Sequence, residues 1–185
     1  MLFLNPKWRL LGNSGVMVTP ALVWPATPLD IVSTKWMRME VFIAGYASGG
    51  AIGRICMGSA SATIDTGATC ATSVLEGTTL TSTSVNATGV PLGGTNINGP
   101  RSAEADFYNV ASVVKRIVGR ADGSSVSAGT APLNISVAGI WVNTAAVIKC
   151  LQLQSWSGVT GSGGSPSGTN FSAGTEWSIW GKDDA

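Results

Sequence analysis

The chain has 185 residues, enough for one domain with a sizeable core, but charged residues make up 11% of it, against about 25% in a typical soluble protein. The net charge of +1 excludes long-range attraction to nucleic acid or an anionic membrane, and no apolar run approaches the ~20 residues of a membrane span. A surface with so few charges protects a lone monomer poorly from association, so the composition favours a protein covered by copies of itself or by a larger assembly.

Residues 1–34 are predicted to form an extended N-terminal arm. Four prolines divide this segment into short apolar pieces, and no helix can run through them because each proline removes a backbone donor and favours extended backbone. We expect the arm to contact its own domain, a sister subunit or another protein, since it cannot bury its apolar side chains within itself. The side chains expected to make these contacts are Phe3, Trp8, Leu10, Leu11, Val16, Val18, Leu22 and Trp24. A first edge strand with a long lead-in is the alternative interpretation.

Residues 35–185 are predicted to form one β-rich domain that begins with a strong strand. Apolar residues at every second position from Met37 to Ile43 place a wholly apolar face on a strand over 35–46. Residues 51–57 alternate in the same way and are expected to be its hairpin partner. From 58 to 100, small and hydroxyl residues dominate, which predicts long loops with short edge strands. We expect these loops to be spacers, with a receptor-binding tip as the alternative.

Further strands are predicted over residues 110–120, 134–142 and 147–156, with a short last strand at 177–180. Lys115 and Arg116 should point to opposite faces because side chains alternate along a strand. The total is about seven or eight antiparallel strands with no convincing helix and frequent glycine turns. This pattern predicts an all-β fold, a jelly roll or β-sandwich, with the extended arm in front of it.

The tryptophans are divided by their positions in these elements. Those within predicted strands are expected to fill the core: Trp36, Trp141, Trp177 and Trp180. Trp24 and Trp156 are expected to be the more exposed ones. Exposed tryptophans are the ones that could stack on a sugar.

The last quarter of the chain carries a recognisable order of residues. Ile140-Trp141 leads into an alternating strand, a long Gly/Ser loop follows, and the chain closes on a Trp-rich strand. The residues of this closing signature are Trp141, Asn170, Phe171, Gly174, Trp177, Ile179, Trp180 and Gly181. The order resembles the end of small β-jelly-roll proteins of tailed bacteriophages, which serve as capsid decoration (cement) proteins, head spikes and heads of tail fibres.

The resemblance implies a virion structural protein, assembled in the host cytoplasm and located on the capsid surface. It implies a homo-oligomer, a trimer, whose partners are the major capsid protein or other virion proteins. The arm would then latch onto a neighbouring capsid subunit. The alternative from the same resemblance is a tail-fibre or head-spike domain that binds a host-surface glycan.

Candidate chemistry is sparse in this sequence. The chain has no histidine, which removes the usual activation of a serine or cysteine nucleophile and the commonest transition-metal ligand. Its three cysteines are an odd number without zinc-site spacing, and we expect buried or half-buried thiols and no disulfide framework. Glu104 and Asp106 could share a strand face, and with Glu176 they define a glycan-hydrolase hypothesis. We expect no catalytic residue, no metal and no cofactor.

Overall fold

The computed structural model describes residues 7–47, 51–66, 69–76, 79–93, 100–123, 133–157 and 166–183. Within these ranges the chain forms twelve β-strands and no helix, which confirms the predicted all-β class. In chain order the strands are β1 Arg9–Asn13, β2 Val23–Asp30, β3 Trp36–Ile43, β4 Ile52–Gly58, β5 Cys70–Glu76, β6 Thr79–Ala87, β7 Val90–Pro91, β8 Arg101–Tyr108, β9 Lys115–Gly123, β10 Leu133–Trp141, β11 Cys150–Trp156 and β12 Glu176–Lys182.

The strands form two sheets whose inner faces share one core. The large sheet has eight strands in the order β1-β12-β3-β8-β9-β10-β5-β6, and the small sheet has four in the order β2-β11-β4-β7. Each strand pairing is antiparallel. The architecture is therefore an antiparallel β-sandwich, with more strands than the sequence pattern predicted.

Alternation along the strands builds the core between the sheets. In β3 the apolar face predicted from Met37 to Ile43 is buried, with exposures between 0% and 4%. In β12 Trp177 and Ile179 point inward, while Ser178 and Trp180 lie on the other side. Residues facing them from the small sheet are Ile55, Met57, Leu151 and Leu153. Burial of these apolar side chains is the main stabilising term of the fold.

Residues 7–34 lie along the edges of both sheets. β1 pairs with β12 at the edge of the large sheet, and β2 pairs with β11 at the edge of the small sheet. Between these strands Met17 is buried, and its backbone N–H donates to the carbonyl oxygen of Thr175 at 2.8 Å. The segment forms edge strands of the sandwich, the alternative interpretation given above, and it contacts the protein's own domain. An arm that contacts another molecule stays a prediction. Phe3 lies outside the described residues.

The neighbours of two predicted segments differ from the expectation. Residues 51–57 are not the hairpin partner of 35–46, since β4 pairs with β11 and β7 whereas β3 pairs with β12 and β8. Alternation fixes which side chains are buried but not which strand lies beside them. Residues 58–100 contain more strand than predicted, because β5 and β6 form a long hairpin at the edge of the large sheet. The low apolar content of these strands hid them.

Three tryptophan predictions are wrong. Trp180, expected in the core, is half-buried on the side of β12 that is turned away from the core. Trp156 is buried at 2% exposure, because every residue of β11 and β4 is buried and both faces of the small sheet are covered there. Its ring lies 4.7 Å from the guanidinium carbon of Arg54. Trp36, expected in the core, is 37% exposed, because it shares the outward side of β3 with Arg38 and Glu40.

Candidate functional site

The outer face is the side of the large sheet turned away from the small sheet. Strand register aligns its side chains into four rows that run across the strands. Row 1 holds Lys182, Trp36, Tyr108, Arg116 and Ile140, and row 2 holds Trp180, Arg38, Asp106, Val118 and Ala138. Row 3 holds Ser178, Glu40, Glu104, Arg120 and Ser136, and row 4 holds Glu176, Phe42, Ser102, Asp122 and Asn134. Lys115 is buried and Arg116 is exposed, so the prediction that they point to opposite faces is confirmed.

Rows 3 and 4 line a groove of about 650 Å³. The carboxylates that line it are Glu40, Glu104, Asp122 and Glu176. Arg120 is the cation among its lining residues, and its Nε lies 3.4 Å from Glu104 Oε1. The groove therefore carries a net negative charge, which disfavours an anionic ligand.

The opposite end of the outer face is aromatic and basic. Trp36 stands between two hollows of about 480 and 270 Å³, and its ring centroid lies 4.7 Å from that of Tyr108. Lys182 Nζ lies 4.9 Å from the ring centroid of Trp8, and the guanidinium carbon of Arg38 lies 5.4 Å from it. Such cation–π contacts hold the cations against the aromatic surface.

A bidentate ion pair lies in row 2, between the two ends of the face. The Arg38 Nε and Nη2 groups donate to the two carboxylate oxygens of Asp106 at 2.7 and 2.9 Å. This hydrogen bonding raises the pKa of Arg38. Both side chains are 40% or more exposed, so the pair contributes at most about 1 kcal/mol to stability. Its main effect is to fix the orientation of two charged groups in row 2.

The predicted contact residues of the N-terminal segment separate into two groups. Exposed members are Trp8, Leu10, Val16 and Val18, at 39%, 52%, 54% and 81%. Leu11, Leu22 and Trp24 are partly buried on the domain, and Trp24 Nε1 donates to the carbonyl oxygen of Gly15 at 2.9 Å. The exposed group is the one available to another molecule.

The closing signature lies mainly in the core. Its buried side chains are Trp141, Phe171, Trp177 and Ile179, each at 1% exposure or less. Gly174 has a φ of +92°, a conformation that favours glycine, and a Cβ at Gly181 would collide with the side chains of Thr34 and Leu11. Asn170 is exposed and Trp180 is half-buried. These residues close the sandwich and do not form a pocket together.

The carboxylates of the hydrolase hypothesis lie on the outer face. Glu104 and Asp106 share one side of β8, as predicted, and Glu176 lies in row 4. Glu104 is paired with Arg120 and Asp106 with Arg38, so both carboxylates are engaged in ion pairs across the strands. Among the described residues, no group of three or more His, Cys, Asp or Glu could hold a metal ion.

All three cysteines are free and buried. Burial raises the pKa of Cys56 and of Cys150, and it raises the pKa of Cys70 to about 11. The thiols are therefore protonated near neutral pH, and a protonated buried thiol is neither a good nucleophile nor a metal ligand. They act as small apolar side chains of the core.

The sequence reading missed three buried cations. Lys115 Nζ donates to the carbonyl oxygens of Asn143 and Thr144 at 2.6 and 3.3 Å, which ties β9 to the connection after β10. Arg54 and Arg101 likewise donate to backbone carbonyl oxygens of connections. Burial lowers the pKa of all three groups. A polar residue at an inward position of a strand is the sequence signal that could have identified Lys115.

Comparison of the chain with protein-family models, with curated proteins and with solved structures found no match. In the part of the chain that the structure describes, no helix has the length and apolar character needed to cross a membrane. A functional proposal therefore depends on the residues and the geometry of this chain.

Proposed function

We propose that the protein is a non-enzymatic structural protein of a bacteriophage virion, which decorates the capsid as a homo-oligomer and reinforces it. The sandwich is then a jelly roll of the kind that the closing signature resembles, and the expected oligomer is a trimer. The major capsid protein or another virion protein is the expected partner. The resemblance over the last quarter of the chain and the low charge content support this role.

The observation that carries the proposal is a pair of apolar side chains that the domain fixes but leaves uncovered. Val18 is 81% exposed and Val16 is 54% exposed, although Met17 between them is buried at 1%. The backbone of Met17 is held by hydrogen bonds to Thr175 and Gly174, each 2.8 Å long. The valines therefore project from an anchored backbone, and inserting them into an apolar recess of a neighbour would need little ordering of the chain.

In this role the protein acts by adhesion. Each square ångström of apolar surface buried against the shell contributes about 25 cal/mol before ordering costs are subtracted. An oligomer presents the same valine pair several times, and simultaneous attachment raises the overall affinity well above that of one copy. No catalytic step is involved.

Replacing Val16 and Val18 together with aspartate is expected to weaken binding to the capsid at least tenfold, because two charges would have to be buried in an apolar contact. The measurement is co-sedimentation of the protein with heads that lack it, from the phage that encodes the protein. Deleting residues 1–30 is a less suitable test, because it removes β1 and all of β2 and so exposes one edge of each sheet.

The matched control is Val113→Asp with Val114→Asp, which places the same two charges at exposed valines, 41% and 38% accessible just before β9. This variant should bind heads as the unmodified protein does. Binding of the double variant at Val16 and Val18 with unchanged affinity, while its circular dichroism spectrum stays native, would refute the role of these two valines in attachment.

A further inference from the structure

The outer face has a charge gradient along the strand direction. Row 1 carries Arg116 and Lys182, whereas row 4 carries Asp122 and Glu176. Arg116 and Asp122 are both in β9, and Lys182 and Glu176 are both in β12. β9 and β12 thus each carry a positive charge near one end and a negative charge near the other, on the same face of the sheet. A surface with this arrangement is complementary to a copy of itself turned by 180°.

We propose that a second copy of this chain covers the outer face, related to the first by a twofold axis that runs along the rows between row 2 and row 3. Such an axis places each strand opposite its own counterpart with the direction reversed. Row 1 of one copy then meets row 4 of the other. The residue pairs brought together are Arg116 with Asp122, Lys182 with Glu176, and Trp36 with Phe42. Each pair occurs twice, as in any isologous contact.

The apolar side chains of the face fit the same arrangement. Trp36 and Phe42 are 37% and 42% exposed and lie six residues apart in β3. Across the axis, Trp36 of each copy therefore meets Phe42 of the other copy. Val118, near the centre of the face, is 64% exposed. These side chains would be removed from water by the second copy, which explains why a chain with so few charges leaves them uncovered.

One pair of like charges also meets across the axis. Glu104 of one copy would face Asp106 of the other. Each carboxylate already has a guanidinium partner in its own chain, Arg120 for Glu104 and Arg38 for Asp106. The two ion pairs would therefore approach each other as neutral units, which greatly reduces the repulsion.

The face is large enough for a stable dimer. The four rows cross five strands, β12, β3, β8, β9 and β10. With strand spacing of about 4.8 Å and rows about 7 Å apart, they cover roughly 700 Å² per copy. Two copies would bury roughly 1,400 Å², within the range of a standard specific interface, and sheets that pack face to face align within about 30°. This contact is separate from the trimer contact of the proposed capsid role, and both together would give a hexamer of two trimers.

Charge reversal tests the pairing directly. Arg116→Asp or Asp122→Arg alone should weaken the dimer about tenfold or more, because each turns two attractive contacts into repulsive ones. The double variant should restore the dissociation constant to within about threefold of the unmodified protein. Within one chain the two residues are six positions apart in β9, about 20 Å, so restoration can only come from the second copy. Sedimentation velocity over the micromolar range gives the dissociation constants.

Two control experiments accompany these charge reversals. Lys149→Glu makes the same change of charge at an exposed residue just before β11 and should leave the dimer unchanged. Lys182→Glu and Glu176→Lys, singly and together, repeat the charge-reversal experiment on β12. This second set covers the case in which a substitution in β9 affects folding. Thermal unfolding of each variant shows whether it is folded.

The possible outcomes separate this inference from the proposed function. A monomer, or a dimer insensitive to single reversals, would overturn the inference and leave the outer face to another ligand, such as a glycan. A trimer insensitive to these reversals would overturn it while supporting the capsid role. A dimer that responds as expected but does not bind heads would support it and overturn the capsid role.

Discussion

Replacing Trp177 with alanine is expected to destabilise the protein by about 3–5 kcal/mol, the range for removing a large aromatic side chain from a core. Trp177 is 1% exposed and lies in the core between β12 and the small sheet. Its Nε1–H group donates to the carbonyl oxygen of Trp24 at 3.0 Å, so the substitution also leaves that oxygen without this donor. Denaturant unfolding at neutral pH measures the loss of free energy of unfolding, and thermal unfolding should show Tm lower by roughly 10 °C or more.

Trp180→Ala is the matched control, because it removes the same side chain from the same strand on the opposite face. Trp180 is half-buried, and its Nε1–H group donates to Glu40 Oε2 at 3.2 Å on the outer face. Its removal should cost about 1 kcal/mol or less. Equal destabilisation by the two substitutions would contradict the assignment of faces in β12.

The faces of several strands could be predicted from the sequence, because one side of each is apolar and the other polar. This holds for β3, where Met37 to Ile43 alternate with Arg38 and Glu40, and for β12. The same alternation placed Trp36 on the polar side. Its burial was predicted wrongly because the prediction relied on its hydrophobicity and not on its position in the strand. Period in a strand is better evidence of burial than residue type.

Strand neighbours could not be predicted, because pairing is a long-range property. β3 lies between β8 and β12, which begin 58 and 133 residues after β3 ends. No local pattern specifies such partners. The rows of the outer face depend on this register, so their charge gradient was also hidden in the sequence.

Other strands were hidden by their composition. β5 buries Thr72 and Glu76 beside Cys70 and Val74, so its inward side does not read as apolar. β2 contains Pro25, which a central strand would exclude but an edge strand tolerates. In such strands, the place in the sheet outweighs the local propensity that a single sequence displays.

Raising the pH above 9 is expected to destabilise the protein through its buried thiols. Burial raises the pKa of Cys70 from 9.0 to about 11, and that of Cys56 rises in the same direction. Between these pH values the unfolded chain releases thiol protons that the native state keeps, so the native state binds more protons and the free energy of unfolding falls as pH rises. The stabilisation is complete below pH 9 and is lost for Cys70 by about pH 11. Each thiol accounts for a slope of about 1.4 kcal/mol per pH unit.

Denaturant unfolding in the presence of a phosphine reductant, at intervals from pH 7 to 10.5, measures this slope. Cys70→Ala removes one titrating group, so it should reduce the slope of the free energy of unfolding by up to about 1.4 kcal/mol per pH unit. It removes few core atoms, so its effect on the free energy of unfolding at pH 7 should be small. Lys115 acts in the opposite direction, because burial lowers its pKa and its native form gains stability as pH rises toward 10.5. The buried Tyr46 hydroxyl, with its pKa raised from 10.0 to about 12, acts in the same direction as the thiols above pH 10, so the difference between Cys70→Ala and the unmodified protein isolates the thiol. Equal slopes for the two proteins between pH 9 and 10.5 would contradict the raised pKa of Cys70.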